Sequence, residues 1–122
     1  MTAASAIDFN HLNKYVMGDD TLRDEVLSIF VEQLGMLLEK FDPAIDDYSW
    51  KNTAHTLKGA ARGVGAWDVG DLCQEAETLT GDVGNKEKAR KMLLEALKRK
   101  SKDVIEAAQN VVGGREEGLI NV

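Results

Sequence analysis

The 122-residue chain has a single cysteine, Cys73, which excludes an internal disulfide framework and suits a reducing compartment. It has one proline, Pro43, so long helices can run uninterrupted on either side of it. Aromatic residues make up 6% of the sequence, and β-branched residues form no sustained alternating runs, which leaves little material for a sheet. No apolar stretch approaches the roughly 18 residues needed to cross a bilayer. The opening MTAASAIDFN lacks the basic-then-apolar pattern of a secretory signal. These absences predict a soluble, cytoplasmic, all-α protein.

Other absences bear on chemistry. The two histidines, His11 and His55, and one cysteine are too few for a zinc site built by the protein alone. There is no phosphate-binding loop and no glycine-rich nucleotide lid, so autonomous kinase activity is not expected. No serine or cysteine lies in a recognisable triad motif. Cys73 falls among apolar residues at helical spacing and reads as a small core residue. The chain is expected to hold no cofactor and no metal of its own.

What the chain does have is charge, unevenly spread. The net charge of −6 divides into 6 basic and 15 acidic residues over 1–85, 8 basic and 2 acidic over 86–102, and 1 basic and 4 acidic thereafter. The run KEKARKMLLEALKRKSK at 86–102 carries Met92, Leu93, Ala96 and Leu97 at helical spacing. It therefore reads first as one solvated face of an amphipathic helix, and only second as a surface for nucleic acid or membrane.

Periodicity divides the chain into helices. A short first helix is expected at 8–17, ended by Gly18, with Asp19 or Asp20 able to cap the next. Apolar residues at 22, 26, 29, 30, 34, 37, 38 and 41 mark a long second helix closed by Pro43. Its apolar arc is wide enough that some of Leu27, Leu34 and Leu38 are candidates to meet the first helix or a partner, with cover inside the bundle the first reading for any one of them. Asp46 or Asp47 can cap a third helix running to about Arg62, with Gly63 and Gly65 supplying the stop. A fourth follows from about residue 66, weakened slightly by Gly70, and TGDVGN at 80–85 is a turn. The last helix is expected from about 86 to 111, leaving 113–122 as a mobile tail. Together these predict one domain over 1–122 with its core at about 7–112. Its form would be an antiparallel up-down four-helix bundle with a short additional N-terminal helix.

A bundle alone implies no function. A site is suggested by the stretch AHTLKGAARGVG, residues 54–65. On a helical wheel Trp50, Ala54, Leu57, Ala61 and Val64 fall within about 80° of one another and define the buried side. His55 lies outside that arc, facing outward. Lys51, Lys58, Gly59 and Arg62 stand at −4, +3, +4 and +7 from it, so they share its face. Three of the six basic residues of the acidic stretch 1–85 gather here, with no carboxylate on the same stripe of the helix. An all-basic patch around an imidazole suits an anion, and nearby positive charge favours the neutral, nucleophilic ring. Gly59 costs roughly 0.5–1 kcal/mol relative to alanine in mid-helix but leaves open space one turn from His55. From the residues alone, a functional His55 and an ordinary surface histidine remain equally open.

The pattern His55, Thr56, Leu57, Lys58, Gly59, Ala60, Ala61 and then Gly65 resembles the motif of the histidine-containing phosphotransfer (HPt) domain family, the relay modules of multistep two-component signalling. The resemblance extends over about residues 7–110, taking in AIDFNHLNKYVMGDDTLRDEVLSIFVEQL and LCQEAETL. It implies a phosphoryl carrier with His55 as the phosphorylation site. Lys58 would contact the phosphoryl oxygens and Gly59 would give clearance to an incoming receiver domain, with Arg62 and Lys51 in support. Many members carry a glutamine 22 positions after the histidine, orienting the imidazole or the phosphoryl group. Here that position is Glu77, a carboxylate that can accept a hydrogen bond from the ring but repels a dianionic phosphoryl group. The implied partners are receiver domains of a hybrid sensor kinase and of a response regulator, with Mg2+ belonging to the receiver, and with neither nucleic acid nor membrane. The competing readings are a helical adaptor using the same face without covalent chemistry and a surface binder using 86–102.

Overall fold

The computed structural model describes residues 5–120, with side chains through residue 112. Five helices account for the described secondary structure: α1 (Phe9–Tyr15), α2 (Asp20–Lys40), α3 (Asp47–Val64), α4 (Trp67–Glu77) and α5 (Lys86–Ile120). The first three open on an aspartate whose carboxylate accepts a hydrogen bond from a backbone N–H three residues on. Asp8 takes His11 N at 3.1 Å, Asp19 takes Leu22 N at 3.0 Å and Asp46 takes Ser49 N at 2.9 Å. Such caps contribute about 1 kcal/mol each by satisfying donors that the helix cannot. Of the two adjacent aspartates available to α2 and α3, the first caps and the second enters the first turn.

The four longer helices form a closed bundle in which α3 packs most extensively on α4, α4 on α5, α5 on α2 and α2 on α3. The short α1 lies against α3. A two-residue link turns α3 into α4. Gly65 sits in the left-handed region at φ +84°, while Ala66 N donates to Ala61 O at 2.8 Å and Gly65 N to Arg62 O at 3.3 Å. That pair of bonds closes the helix end, and glycine is the residue that takes this conformation without strain. A Cβ at this position would also sit 2.8 Å from Asp8 O, where the start of α1 docks. Because the link is so short, residues equally far on either side of it come together.

The core runs along the bundle axis. Trp50, Ala54, Leu57, Ala61 and Val64 are all buried on α3, as the wheel requires. Trp50 donates its indole N–H to Ala76 O at 2.7 Å and meets Phe41 edge-to-face at 4.8 Å between centroids. Cys73 is fully buried, and burial above all pushes its thiol up to about 12, so it stays a protonated core residue.

Two expectations change and one open question is decided. Leu27 and Leu34 are fully buried and Leu38 packs on the core, so these residues are not spare surface. The exposed apolar side chains of α2 are instead Leu22, Ile29 and Met36. The basic run at 86–102 is not a uniformly solvated face either. Arg90 is 1% exposed and stacks 4.4 Å from the centroid of Trp50, while Lys86 is drawn to Asp47 at 2.8 Å. Finally, α5 does not end near residue 111. Its backbone continues helically through the glycines at 113, 114 and 118 to Ile120. Each glycine costs roughly 1 kcal/mol but removes no hydrogen bond from the ladder. The mobility expected of the last ten residues concerns side chains at 113–122 and backbone at 121–122 that lie outside the described residues.

Candidate functional site

His55 lies near the middle of α3, and its side chain is 72% exposed. The short α3–α4 link places Glu77 opposite it: His55 stands 11 residues before Ala66 and Glu77 stands 11 after, a separation of 22. His55 Nδ1 and Glu77 Oε1 are 2.9 Å apart. The second oxygen of the same carboxylate accepts from Lys58 Nζ, also at 2.9 Å. The three side chains therefore form one chain, imidazole to carboxylate to ammonium, in which Glu77 and Lys58 are only 16% and 18% exposed.

The electrostatics follow from that geometry. The hydrogen bond from Lys58 above all holds the Glu77 carboxyl below the usual carboxylate range; burial opposes it, and the hydrogen bond from His55 adds a smaller lowering effect. Glu77 is thus an anion at neutral pH and can only accept hydrogen bonds. The hydrogen it shares with the neutral ring must be on Nδ1, which assigns the lone pair to Nε2. The imidazole is thereby oriented and given a nucleophilic nitrogen on its free side.

The patch is not purely cationic. The expectation of an all-basic surface holds for the stripe of α3, but α4 supplies carboxylates that a wheel of one helix cannot show. Arg62 also belongs elsewhere: its Nη2 donates to Gln74 Oε1 at 2.6 Å and lies 3.7 Å from Asp71. Its side chain crosses α4 over Gly70, where an added Cβ would sit 3.0 Å from Arg62 Cγ. Seven residues along the helix place Arg62 about 10.5 Å of rise from His55, and its guanidinium is committed to α4. Lys51 is exposed one turn before His55 and makes no ion pair among the described residues. The structure therefore joins His55, Lys58 and Glu77, while Arg62 and Lys51 stay apart from that chain. Neither Gln74 nor the packing role of Gly70 was read from the sequence. The one available signal was the cost of a glycine inside α4, which implies that something crosses there.

Gly59 lies on the same outward face. A Cβ built there meets nothing within 4 Å, so the surface beside His55 is open within the chain itself. Among the described residues no cluster of histidine, cysteine and carboxylate side chains could hold a metal ion, and no helix is long and apolar enough to cross a membrane.

The site is an exposed imidazole hydrogen-bonded to a carboxylate, with a lysine one turn on. The Hpt domain profile matches residues 25–111, most of the chain. The chain belongs to the Hpt domain family. A solved structure of the histidine phosphotransferase ShpA from Caulobacter crescentus is similar at 30% sequence identity, with a TM-score of 0.61. The match covers 95% of this chain and 96% of that one. No curated protein matches the sequence. The fold is accordingly the helical bundle of the Hpt family, and the chain is a phosphorelay carrier of two-component signalling.

Proposed function

We propose that this Hpt domain carries the phosphoryl group on His55. It would take the group from the phosphoaspartate of a receiver domain in a hybrid sensor kinase and pass it to the receiver of a response regulator. The observation that carries this reading is the hydrogen bond between His55 Nδ1 and Glu77, which leaves Nε2 of a largely exposed ring as the free nucleophile. The lone pair of Nε2 attacks phosphorus in line. A P–N bond forms as the P–O bond to the aspartyl carboxylate breaks, and that electron pair returns to the receiver. The second transfer reverses the exchange, with the carboxylate of the next receiver attacking and the electron pair returning to Nε2.

Such a transfer needs position and charge more than covalent chemistry from the carrier. Lys58 is within reach of the phosphoryl oxygens from one turn away and supplies the charge stabilisation. Gly59 leaves room for the receiver's backbone to approach. Lys51 and Arg62 contribute a weaker attraction, screened over a distance of about 10 Å at ordinary ionic strength. Mg2+ and the acidic pocket that binds it belong to the receiver, and the carrier works in the cytoplasm with its partners.

The test is transfer itself. Wild-type protein is incubated with each phosphorylated receiver of its host. Label that is stable in base, labile in acid and absent in His55→Gln is the expected result. A wild type that takes label from no receiver would overturn the relay in favour of an adaptor using the same face.

A further inference from the structure

Glu77 does something that an uncharged hydrogen-bond acceptor at its position could not. Once Nε2 is bonded to phosphorus, the state of the ring depends on its other nitrogen. If Nδ1 keeps its proton, the ring is cationic, and breaking the P–N bond releases neutral imidazole. If Nδ1 has lost it, the same step must release imidazolate, a far poorer leaving group. The proton on Nδ1 therefore decides how readily the carrier gives up its phosphoryl group.

We infer that Glu77 sets the lifetime of the phosphorylated carrier: its carboxylate, 2.9 Å from His55 Nδ1, holds the proton on the phosphorylated ring and keeps the P–N bond labile at neutral pH. This rests on the reading of His55 as the phosphorylation site. An opposite charge within hydrogen-bond distance favours the protonated, cationic form of such a ring. The carboxylate is 16% exposed, so water screens it little. The other charged groups facing the ring act in known directions. Lys58 opposes the ring cation and shares the carboxylate at 2.9 Å. Lys51 opposes it from the same helix, exposed and screened. Arg62 is turned to Gln74 and Asp71, and the buried Cys73 thiol on α4 is uncharged. The phosphoryl dianion gives Lys58 a second anionic partner, which loosens its claim on Glu77 and strengthens the carboxylate's hold on Nδ1. In the decay, water attacks phosphorus as the P–N bond breaks, the electron pair returns to Nε2 and inorganic phosphate leaves; the proton on Nδ1 is the one the ring already carries.

The experiment needs no partner protein. Wild type, Glu77→Gln, Glu77→Asp and Lys58→Met are loaded with phosphoramidate, a small P–N phosphoryl donor, and decay of the phosphohistidine is followed by 31P NMR from pH 5 to 9. His55→Gln supplies the background from His11. Glu77→Gln keeps an acceptor but not the charge. It is expected to decay about tenfold more slowly near pH 7.5, the midpoint of its acid lability falling by about one pH unit or more. Glu77→Asp should retain much of the wild-type profile, and Lys58→Met should shift the midpoint the opposite way. Superimposable profiles for wild type and Glu77→Gln at equal loading would overturn the inference. So would shifts of the same sign in Glu77→Gln and Lys58→Met. Failure of every receiver to label the wild type is a separate result, striking the relay and not Glu77, because chemically loaded His55 still reports its own decay.

Discussion

Two carboxylates of the bundle are each shared between nitrogen donors, three on Asp47 and two on Glu77, and they serve opposite ends. Asp47, in the first turn of α3, takes Arg90 Nη2 at 2.7 Å and Lys86 Nζ at 2.8 Å on one oxygen and Gly81 N at 2.8 Å on the other. Arg90 spends its remaining donors on Leu79 O, Ile45 O and Pro43 O, which ties the α2–α3 loop to the α4–α5 loop. Arg90, the centre of this cluster, is 1% exposed, so its guanidinium is held inside the protein. Glu77 takes Lys58 and His55 with the same 2.9 Å spacing, but its imidazole has a second nitrogen that faces out. The first cluster is closed and holds the fold; the second is left open by one valence and can meet a partner. What separates structure from function here is where the last donor or acceptor points.

Either cluster can be removed without the other. His55→Gln should abolish phosphoryl uptake altogether while leaving stability within about 0.5 kcal/mol, the usual range for an exposed substitution. Transfer assays and denaturant unfolding check the two halves. Arg90→Met should do the reverse. It removes one of the three donors to Asp47 and strands three loop carbonyls, and a buried polar group left without its partner costs about 1–3 kcal/mol. Its unfolding midpoint should fall steeply, while the protein that remains folded still accepts phosphoryl groups. If Arg90→Met lost transfer without losing stability, the two clusters would not be separate devices.

Much of this was legible in the sequence, and the reason is locality. Helix period, proline and aspartate caps act within a few residues, so the bundle, its boundaries through α4 and the outward face of His55 could be read directly. Contacts across helices could not. A wheel for α3 shows Lys51, Lys58 and Arg62 around His55 and no acid. The carboxylate arrives from α4, and only the family resemblance drew attention to residue 77. Counting charges over 86–102 likewise treats Arg90 as solvated, although its guanidinium stacks on Trp50 inside the bundle. The end of α5 was misjudged for a related reason: a glycine pair lowers helix propensity, but the hydrogen-bond ladder of an already nucleated helix can run through it.

Gly59 sharpens the open end of the comparison. Since a Cβ there meets nothing within 4 Å, Gly59→Ala should raise stability by about 0.5–1 kcal/mol. If that space is kept for the receiver, Gly59→Leu should be equally well folded yet slow transfer from a receiver by about tenfold or more, because small misplacements of reacting groups are costly. Loading by phosphoramidate should be unaffected, since that donor needs no docking. A Gly59→Leu protein that exchanged phosphoryl groups with receivers at the wild-type rate would remove Gly59 from the site.

The closed cluster has a smaller, pH-dependent signature. The hydrogen bond from Lys86 foremost, then that from Gly81 N, lowers the Asp47 carboxyl from its ordinary 3.8 to about 2. A group whose pKa is depressed by folding favours the folded state once it is ionised in the unfolded chain as well. Its contribution is therefore full above about pH 4 and fades as pH falls from 3.8 towards 2. Asp47→Asn removes the charge at every pH. Its stability should lie below wild type at neutral pH, approach it between pH 4 and 2, and stay close to it below. Denaturant midpoints measured at pH 7, 4, 3 and 2 decide this. A gap between the two proteins that stayed constant down to pH 2 would mean that Asp47 acts through its hydrogen bonds alone, leaving its charge no part in holding Arg90 and Lys86.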